Sequence, residues 1–514
     1  MPGRTAKWIS PFMSKSKPIS RRRFLGNTLA GTVGATMTTP LVRATQGKAL
    51  GDKPPNILWI MSDEHDPAIT SCYGNRIVRT PNIDELAQSG VTFDRTYCNS
   101  PHCAPSRLSM TAGKYIHRVG AWSNGSWLPS DDVVSLPRVM RSAGYDPILC
   151  GKMHFDRTRR YGYRELIPDL WSNNYIKKGS GKRRKPDDLR PRRVSNRFKE
   201  IRTGDSIVFQ HDRQVTAAAK RFIRNRDQDD KPFFMAVGYL APHFPLIVPH
   251  AFWKPYEDKV AMPHIPDGYL ESMPLNYRVL RSRMGLVGID DDAVRFGREV
   301  YYGMTQWLDT EIGKVLEVLR HSKVADNTVI VYTSDHGESL GEHGLWWKKT
   351  MHEQSARVPL IVSWPARWPG GQRRTQACSL LDLVQTMLEL GGASPPDDWD
   401  GDSMAPWMDD ANIGWKDFAV SQYYGGHIAS GYAMARQGKY KYVYHSPPDK
   451  RYSAEREFYN IESDPMELMN LAKQPGYDDH MHSMHGALVK ELGEDPDDTE
   501  QRCRAERKMG YLSS

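Results

Sequence analysis

Hydrophobic positions along this chain gather into short unbroken runs, each ending abruptly in polar residues. Asn56-Ile57-Leu58-Trp59-Ile60-Met61 closes on Ser62-Asp63-Glu64, and Pro147-Ile148-Leu149-Cys150 closes on Gly151-Lys152-Met153-His154. Phe233 to Tyr239 runs into Pro242-His243, and Thr328 to Thr333 runs into Asp335-His336-Gly337. Continuous apolar runs of this length suit strands buried on both faces of a parallel sheet. Helical patterns lie between them. Thr80 as N-cap and Pro81 at the first helical position open a helix that continues through Ile83, Leu86 and Ala87 and stops at Gly90. Trp307, Leu308, Ile312, Val315, Leu316 and Leu319 mark an amphipathic helix, and a strand from Val358 to Trp364 precedes a helix from Leu380 to Leu390 closed by Gly391.

Alternating strands and helices predict an α/β fold with a large, mainly parallel central sheet covered on both faces, where ligands collect beyond the carboxyl ends of the strands. Asp63, Lys152, His154, His243, Asp335 and His336 all lie just past such ends. Carboxylates, imidazoles and amines from four separate strand ends point to one reaction site. From about Pro395 the pattern shifts to Pro, Asp and Trp, then to Tyr-rich alternation around Tyr440, Tyr442 and Tyr444. That predicts a smaller C-terminal α+β subdomain over 395–514, with antiparallel strands and a helix near His482 to Leu492, after a catalytic domain over 52–394.

At 514 residues, 39% of them hydrophobic and 25% charged, the chain can bury a large core. The formal charge of +9 is a weak pointer to nucleic acid, because part of the excess sits in the leader and in the Lys177 to Lys199 stretch, which reads as a solvated insertion loop. No nucleic-acid partner is expected. Ser20-Arg21-Arg22-Arg23-Phe24-Leu25, followed by a mildly apolar stretch to Val42, resembles a twin-arginine export signal over 1–44, which places the mature protein in a periplasmic or extracellular space. No run is long enough for a stable membrane anchor. Cys72, Cys98, Cys103, Cys150, Cys378 and Cys503 are too few and scattered for a disulfide framework, and no CxxC pair suggests zinc. One of them can instead be chemical.

Cys103-Ala104-Pro105-Ser106-Arg107 is the most informative segment. Pro105 at a helix start places Cys103 at the positive end of the helix dipole, where a reacting anion is favoured, and Arg107 adds a permanent charge. With Gly151-Lys152-Met153-His154-Phe155, Ser355-Ala356-Arg357-Val358-Pro359-Leu360 and Asn460-Ile461-Glu462-Ser463-Asp464-Pro465, this segment resembles the type I sulfatase family of the alkaline-phosphatase-like superfamily. The motifs look most like choline sulfatases, and Phe234 to Tyr239 before Pro242-His243 is similar to iduronate sulfatases.

The resemblance implies that Cys103 is oxidised to formylglycine (3-oxoalanine) by a formylglycine-generating enzyme. It also implies a calcium or magnesium ion held by Asp63, Glu64, Asp335, His336 and the modified residue 103. A hydrated aldehyde offers one hydroxyl to attack sulfur and a second whose deprotonation expels sulfate, and a divalent cation lowers the pKa of the attacking hydroxyl. By the same carry-over, Arg107 stabilises the hydrated aldehyde, Lys152 and Lys348 bind sulfate oxygens, His243 protonates the leaving alcohol and His154 acts on the second hydroxyl. Asn124 and Arg357 are expected to touch the organic part of the substrate, while His102, His117 and His343 read as hydrogen-bonded structural histidines. Many relatives carry Asp or Gln at the position of Glu64 and Asn at that of His336. The expected substrate is a small-molecule or glycan sulfate ester, either choline sulfate-like or a sulfated sugar. A phosphodiester or phosphonate monoester hydrolase, and an inactive carbohydrate-binding relative, are the competing expectations.

Overall fold

The computed structural model describes residues 53–170 and 183–508. The export-type leader lies outside the described residues, as does the part of the basic Lys177 to Lys199 stretch before Arg183. Among the described residues, nine strands share one sheet: Asn56–Asp63 (β1), Val91–Tyr97 (β2), Asp146–Gly151 (β3), Arg164–Ile167 (β4), Phe233–Pro242 (β5), Thr328–Ser334 (β6), Arg357–Val358 (β7), Leu360–Ser363 (β8) and Gln372–Ser379 (β9). Their order is β9-β2-β8-β6-β1-β5-β3-β4, with β7 pairing β2. The block β6-β1-β5-β3-β4 is parallel throughout.

Period-two alternation explains why the central runs are apolar without interruption. Leu58 and Ile60 of β1, with Met235 and Val237 of β5, enter a core beneath the helices Ile207–Arg224 and Asp291–Arg320. Ile57, Trp59 and Met61, with Phe234 and Ala236, enter a second core on the opposite face with Leu108 and Met110 of the helix Cys103–Ala112 and Leu383 and Met387 of Leu380–Leu390. Leu58 and Ile60 are wholly buried, and burial of such a side chain contributes about 1.5–3 kcal/mol. A polar residue at either position would face hydrocarbon without a partner, so neither position tolerates one.

Two sequence expectations change in detail. The Val358 to Trp364 strand is split at Pro359, which has no amide hydrogen to give, and β8 runs antiparallel to both β6 and β2. The helix after Thr80 spans Pro81–Gln88, but Thr80 Oγ1 accepts from the amide of Ser71 (3.0 Å) rather than from the helix. Asp309 caps it from the long helix instead, accepting from the amides of Ile83 (2.8 Å) and Asn82 (3.3 Å). Gly90 lies past the helix end, and a Cβ there would sit 2.5 Å from the Val362 carbonyl oxygen, so glycine lets the chain cross close to β8.

The C-terminal part forms an antiparallel meander of Phe418–Tyr423 (β10), Tyr432–Gln437 (β11), Tyr440–His445 (β12) and Glu455–Asn460 (β13). Tyr442 and Tyr444 share one face and pack with Met481, Met484 and Leu488 of the helix Asp478–Leu492. A further helix, Pro496–Lys508, follows. The large sheet and this meander fall in one compact unit. No described helix is long and apolar enough to cross a membrane.

Candidate active site

β1 lies between β5 and β6, so the ends of three parallel strands deliver Asp63, His243 and Asp335 to one edge of the sheet. Cys103 opens its helix directly above that edge and is 1% exposed. Its Sγ lies 3.2 Å from His336 Nε2 and 3.8 Å from Asp63 Oδ1. One potential ligand atom from each of Asp63, Cys103, Asp335 and His336 fits within 4.8 Å of the other three, and all four residues are buried. Burial pushes the Cys103 thiol up to about 11, so at neutral pH the side chain is a thiol rather than a nucleophilic thiolate.

Arg107 braces this floor one turn further along the helix. Its Nε donates to Asp335 Oδ2 (2.7 Å), Nη1 to the Lys152 carbonyl (2.7 Å) and Nη2 to the Ser62 carbonyl (3.5 Å), with Asp63 Oδ2 3.7 Å away. Burial raises the Asp335 carboxyl, yet the charge of Arg107 above all, together with that of Lys152, holds it below the usual carboxylate range. Ser106 Oγ donates to the Asp335 carbonyl (2.7 Å). The Ser-Arg pair therefore fixes both the backbone and the side chain of one acidic residue.

His336 is oriented by its other nitrogen. Nδ1 donates to the Gly337 carbonyl (2.9 Å), which leaves the Nε2 lone pair facing Cys103, Asp63 and Asp335, the two carboxylates at 3.6 Å. Burial lowers this imidazole to about 3, so it is neutral and able to ligate.

Around that floor stand the groups suited to an anion. Lys152 forms an ion pair with Asp63, and burial lowers its ammonium to about 8. β5 approaches the Lys152 turn so closely that a Cβ on Gly238 would lie 1.9 Å from the Lys152 carbonyl oxygen. Lys348 Nζ lies 3.0 Å from Glu64 Oε2, and His243 Nε2 lies 3.1 Å from the same oxygen. Glu64 thus stands outside the four-residue cluster and joins Asp63 and His243 in a second one. His154, at φ +59°, is buried, and burial first, then Lys152 and Arg107, hold its imidazole well below the ordinary value.

Residues 55–393 match the family model described as "Sulfatase". The chain belongs to the sulfatase family. Residues 341–494 also match "N-sulphoglucosamine sulphohydrolase, C-terminal". This sulfatase is 28% identical to the choline-sulfatase of Rhizobium meliloti over 446 residues, covering 82% of this chain and 83% of that one. A solved structure holding its substrate D-glucosamine-2-N,6-O-disulfate superposes with a TM-score of 0.67 at 23% identity, over 87% of this chain and 99% of the other. The phosphonate monoester hydrolase of Agrobacterium radiobacter gives 0.67 at 22% identity, over 88% and 96%. Both structures share the fold: a large mainly parallel sheet with a C-terminal antiparallel one. Family membership makes the chain a sulfuric ester hydrolase.

In this sulfatase, Asn124 Oδ1 accepts from the amide of Ala104 (3.1 Å), which anchors the first turn of the Cys103 helix. Arg357, at the start of β7, directs Nη1 to the Asp94 carbonyl (3.4 Å) and Nε towards Glu353 (3.6 Å). His117 and His343 are hydrogen-bonded, to Gln422 and to Tyr269, whereas His102 Nδ1 is buried with no hydrogen-bond partner, contrary to the expectation for it. Several supporting residues escaped sequence reasoning. Glu338 Oε1 takes the amides of Leu340 (2.8 Å) and Trp347, which shapes the loop carrying Lys348. Asp212 takes the amides of Leu240 (2.9 Å) and Ala241 (2.9 Å) before His243, and Asp169 takes that of His154 (2.9 Å). Glu338 sits three residues after Asp335, a spacing that offered a signal; Asp212 and Asp169 offered none.

Proposed function

We propose that this sulfatase hydrolyses a sulfate ester with residue 103 after its oxidation to formylglycine, at a calcium or magnesium site held by Asp63, Asp335 and His336 with Glu64 at its edge. The observation that carries the reading is the convergence of Cys103 with two carboxylates and a forward-facing imidazole lone pair inside 4.8 Å. Asp63 and Asp335 supply hard oxygens, and conversion of residue 103 exchanges a poorly suited sulfur for another oxygen donor. When present, the hydrated aldehyde and its cation supply an activated hydroxyl beside sulfur.

The chain's own residues do the rest. Arg107 keeps Asp335 ionised and in place, and Lys152 and Lys348 compensate the sulfate oxygens. His243 donates Nδ1–H to the Phe244 carbonyl (2.7 Å), and burial, then Lys348 and Lys152, favour its neutral ring, so Nε2, 3.1 Å from Glu64 Oε2, carries the lone pair and has to take up a second proton before it can protonate the leaving oxygen. His154, neutral and buried, suits proton removal during sulfate release.

The family's substrates leave choline sulfate and sulfated sugars open. A quaternary ammonium needs an aromatic or acidic cage, and the cations at this site favour a sulfated sugar. Phosphodiester or phosphonate esters are the second reading, supported by the shared fold of the phosphonate monoester hydrolase. Export by the twin-arginine route rests on Ser20 to Leu25 and the mildly apolar stretch that follows to Val42. The deciding experiment is mass spectrometry of the residue 103 peptide from protein co-produced with a formylglycine-generating enzyme, paired with turnover of aryl sulfate, phosphodiester and phosphonate esters. An aldehyde with sulfate preferred supports the reading. Turnover by unmodified thiol protein, or a phosphorus preference, overturns it.

A further inference from the structure

Beside the groups that face the reacting centre lies a second set of cations with no assigned task. Lys349 adopts φ +90°, and its carbonyl accepts from the Tyr432 hydroxyl, so its side chain diverges from that of Lys348. It is 8% exposed, and its ammonium forms no ion pair or hydrogen bond with any described residue. The Tyr423 ring lies 5.5 Å from Tyr432 and 5.7 Å from His102, and its hydroxyl donates to the Gly426 carbonyl (2.9 Å), directly before His427. The amide of Arg184 donates to the Ile428 carbonyl (2.9 Å), which brings that arginine beside His427. Arg197 places its guanidinium 3.7 Å over Phe244, whose ring stacks 4.1 Å from His243. His102, 7% exposed, and His427 each have an Nδ1 without a hydrogen-bond partner.

These groups sense one another. Lys349 above all, then burial, then Arg184, Arg192 and Arg197, hold His427 far below the ordinary imidazole range. Burial, then Lys348 and Arg197, lower Lys349 to about 7, and the carboxylate that opposes them, Glu64, is already committed to the reacting centre. A buried ammonium among other cations is unfavourable unless an anion joins it.

We propose that Lys349, His102, His427, Arg184 and Arg197 form a second anion subsite beside the reacting sulfate, which takes a carboxylate or a further sulfate carried by the same saccharide. The proposal rests on the sulfatase reading above and narrows its substrate to an acidic or multiply sulfated sugar, against a cationic ester such as choline sulfate. Cys103→Ser protein permits binding to be measured without turnover. By calorimetry it is titrated with an otherwise uncharged monosaccharide monosulfate, the same sugar with a second sulfate, and the same sugar with a carboxylate. At least one dianionic ligand is expected to bind about tenfold or more tighter than the monoanionic one, the scale of one charge-assisted hydrogen bond. Lys349→Met added to that protein removes most of the preference and leaves the monoanionic ligand almost unaffected, and the exposed Arg197→Gln provides a second variant should the buried one misfold. A gain with only the disulfate or only the carboxylate supports the subsite and identifies its anion. Equal binding of all three ligands, or an equal loss for all three in both variants, overturns it. Aryl sulfate turnover by the formylglycine form is measured alongside: its absence with the dianion preference intact refutes the sulfatase reaction and leaves the anion subsite standing.

Discussion

Arg107→Met tests how the floor of the site is held together. The substitution keeps most of the buried volume but removes the charge beside Asp335 Oδ2 (2.7 Å) and the donors to the Lys152 and Ser62 carbonyls. Arg107 and Asp335 are fully buried, so water cannot replace what is lost. Breaking a buried pair from one side costs about 3–5 kcal/mol, and that loss is expected in chelator by chemical denaturation followed by tryptophan fluorescence. Added calcium should recover part of it, because a cation at Asp63 and Asp335 compensates the same carboxylate. Arg107→Lys should fall between the two proteins, since an ammonium keeps the charge but cannot span Asp335 and two carbonyls as the planar fork does. An unchanged denaturation midpoint for Arg107→Met, or equal losses with and without calcium, would refute the reasoning.

His243→Ala should lower turnover of esters with poor leaving groups by about a hundredfold to ten-thousandfold while good leaving groups lose little, and equal losses across a leaving-group series would remove its acid role. Chelation should lower the melting temperature, with recovery on adding calcium or magnesium, because Asp63 and Asp335 then face each other's charge without a cation; a melting curve indifferent to chelator would argue against the site. The stacked pair His343 and His352, with ring centroids 3.7 Å apart, is held well below 6.5, chiefly by burial. The unfolded chain therefore binds more protons below 6.5, so stability present above that pH is lost as pH falls through it, by about 1.4 kcal/mol per pH unit for each ring. Denaturation midpoints on either side of 6.5 check this, and His352→Gln should flatten the dependence.

Much of the site was legible because strand ends are legible. An apolar run that stops at Asp63 or Asp335 marks both a buried strand and the residue that leaves it, so the topology brings together what the runs deliver. The direction of β8 was not, because three apolar residues and a serine after a proline carry no sign of which way they pair. Nor was the cap on Pro81–Gln88, supplied by Asp309 from 226 residues away in sequence. Lys349 was hidden by its neighbour, since adjacent lysines look interchangeable until a positive φ sends them apart. Asn124 and Arg357, expected to touch the organic part of the substrate, also make hydrogen bonds to the scaffold, a second task that the sequence did not show.

Cys103 is 1% exposed, at the start of a helix whose every residue is buried, with Asp335, His336 and Asp63 closed around it. On the formylglycine reading, an enzyme that oxidises this thiol has to reach it before the helix is packed in place or while it opens locally, so maturation competes with folding on the same chain.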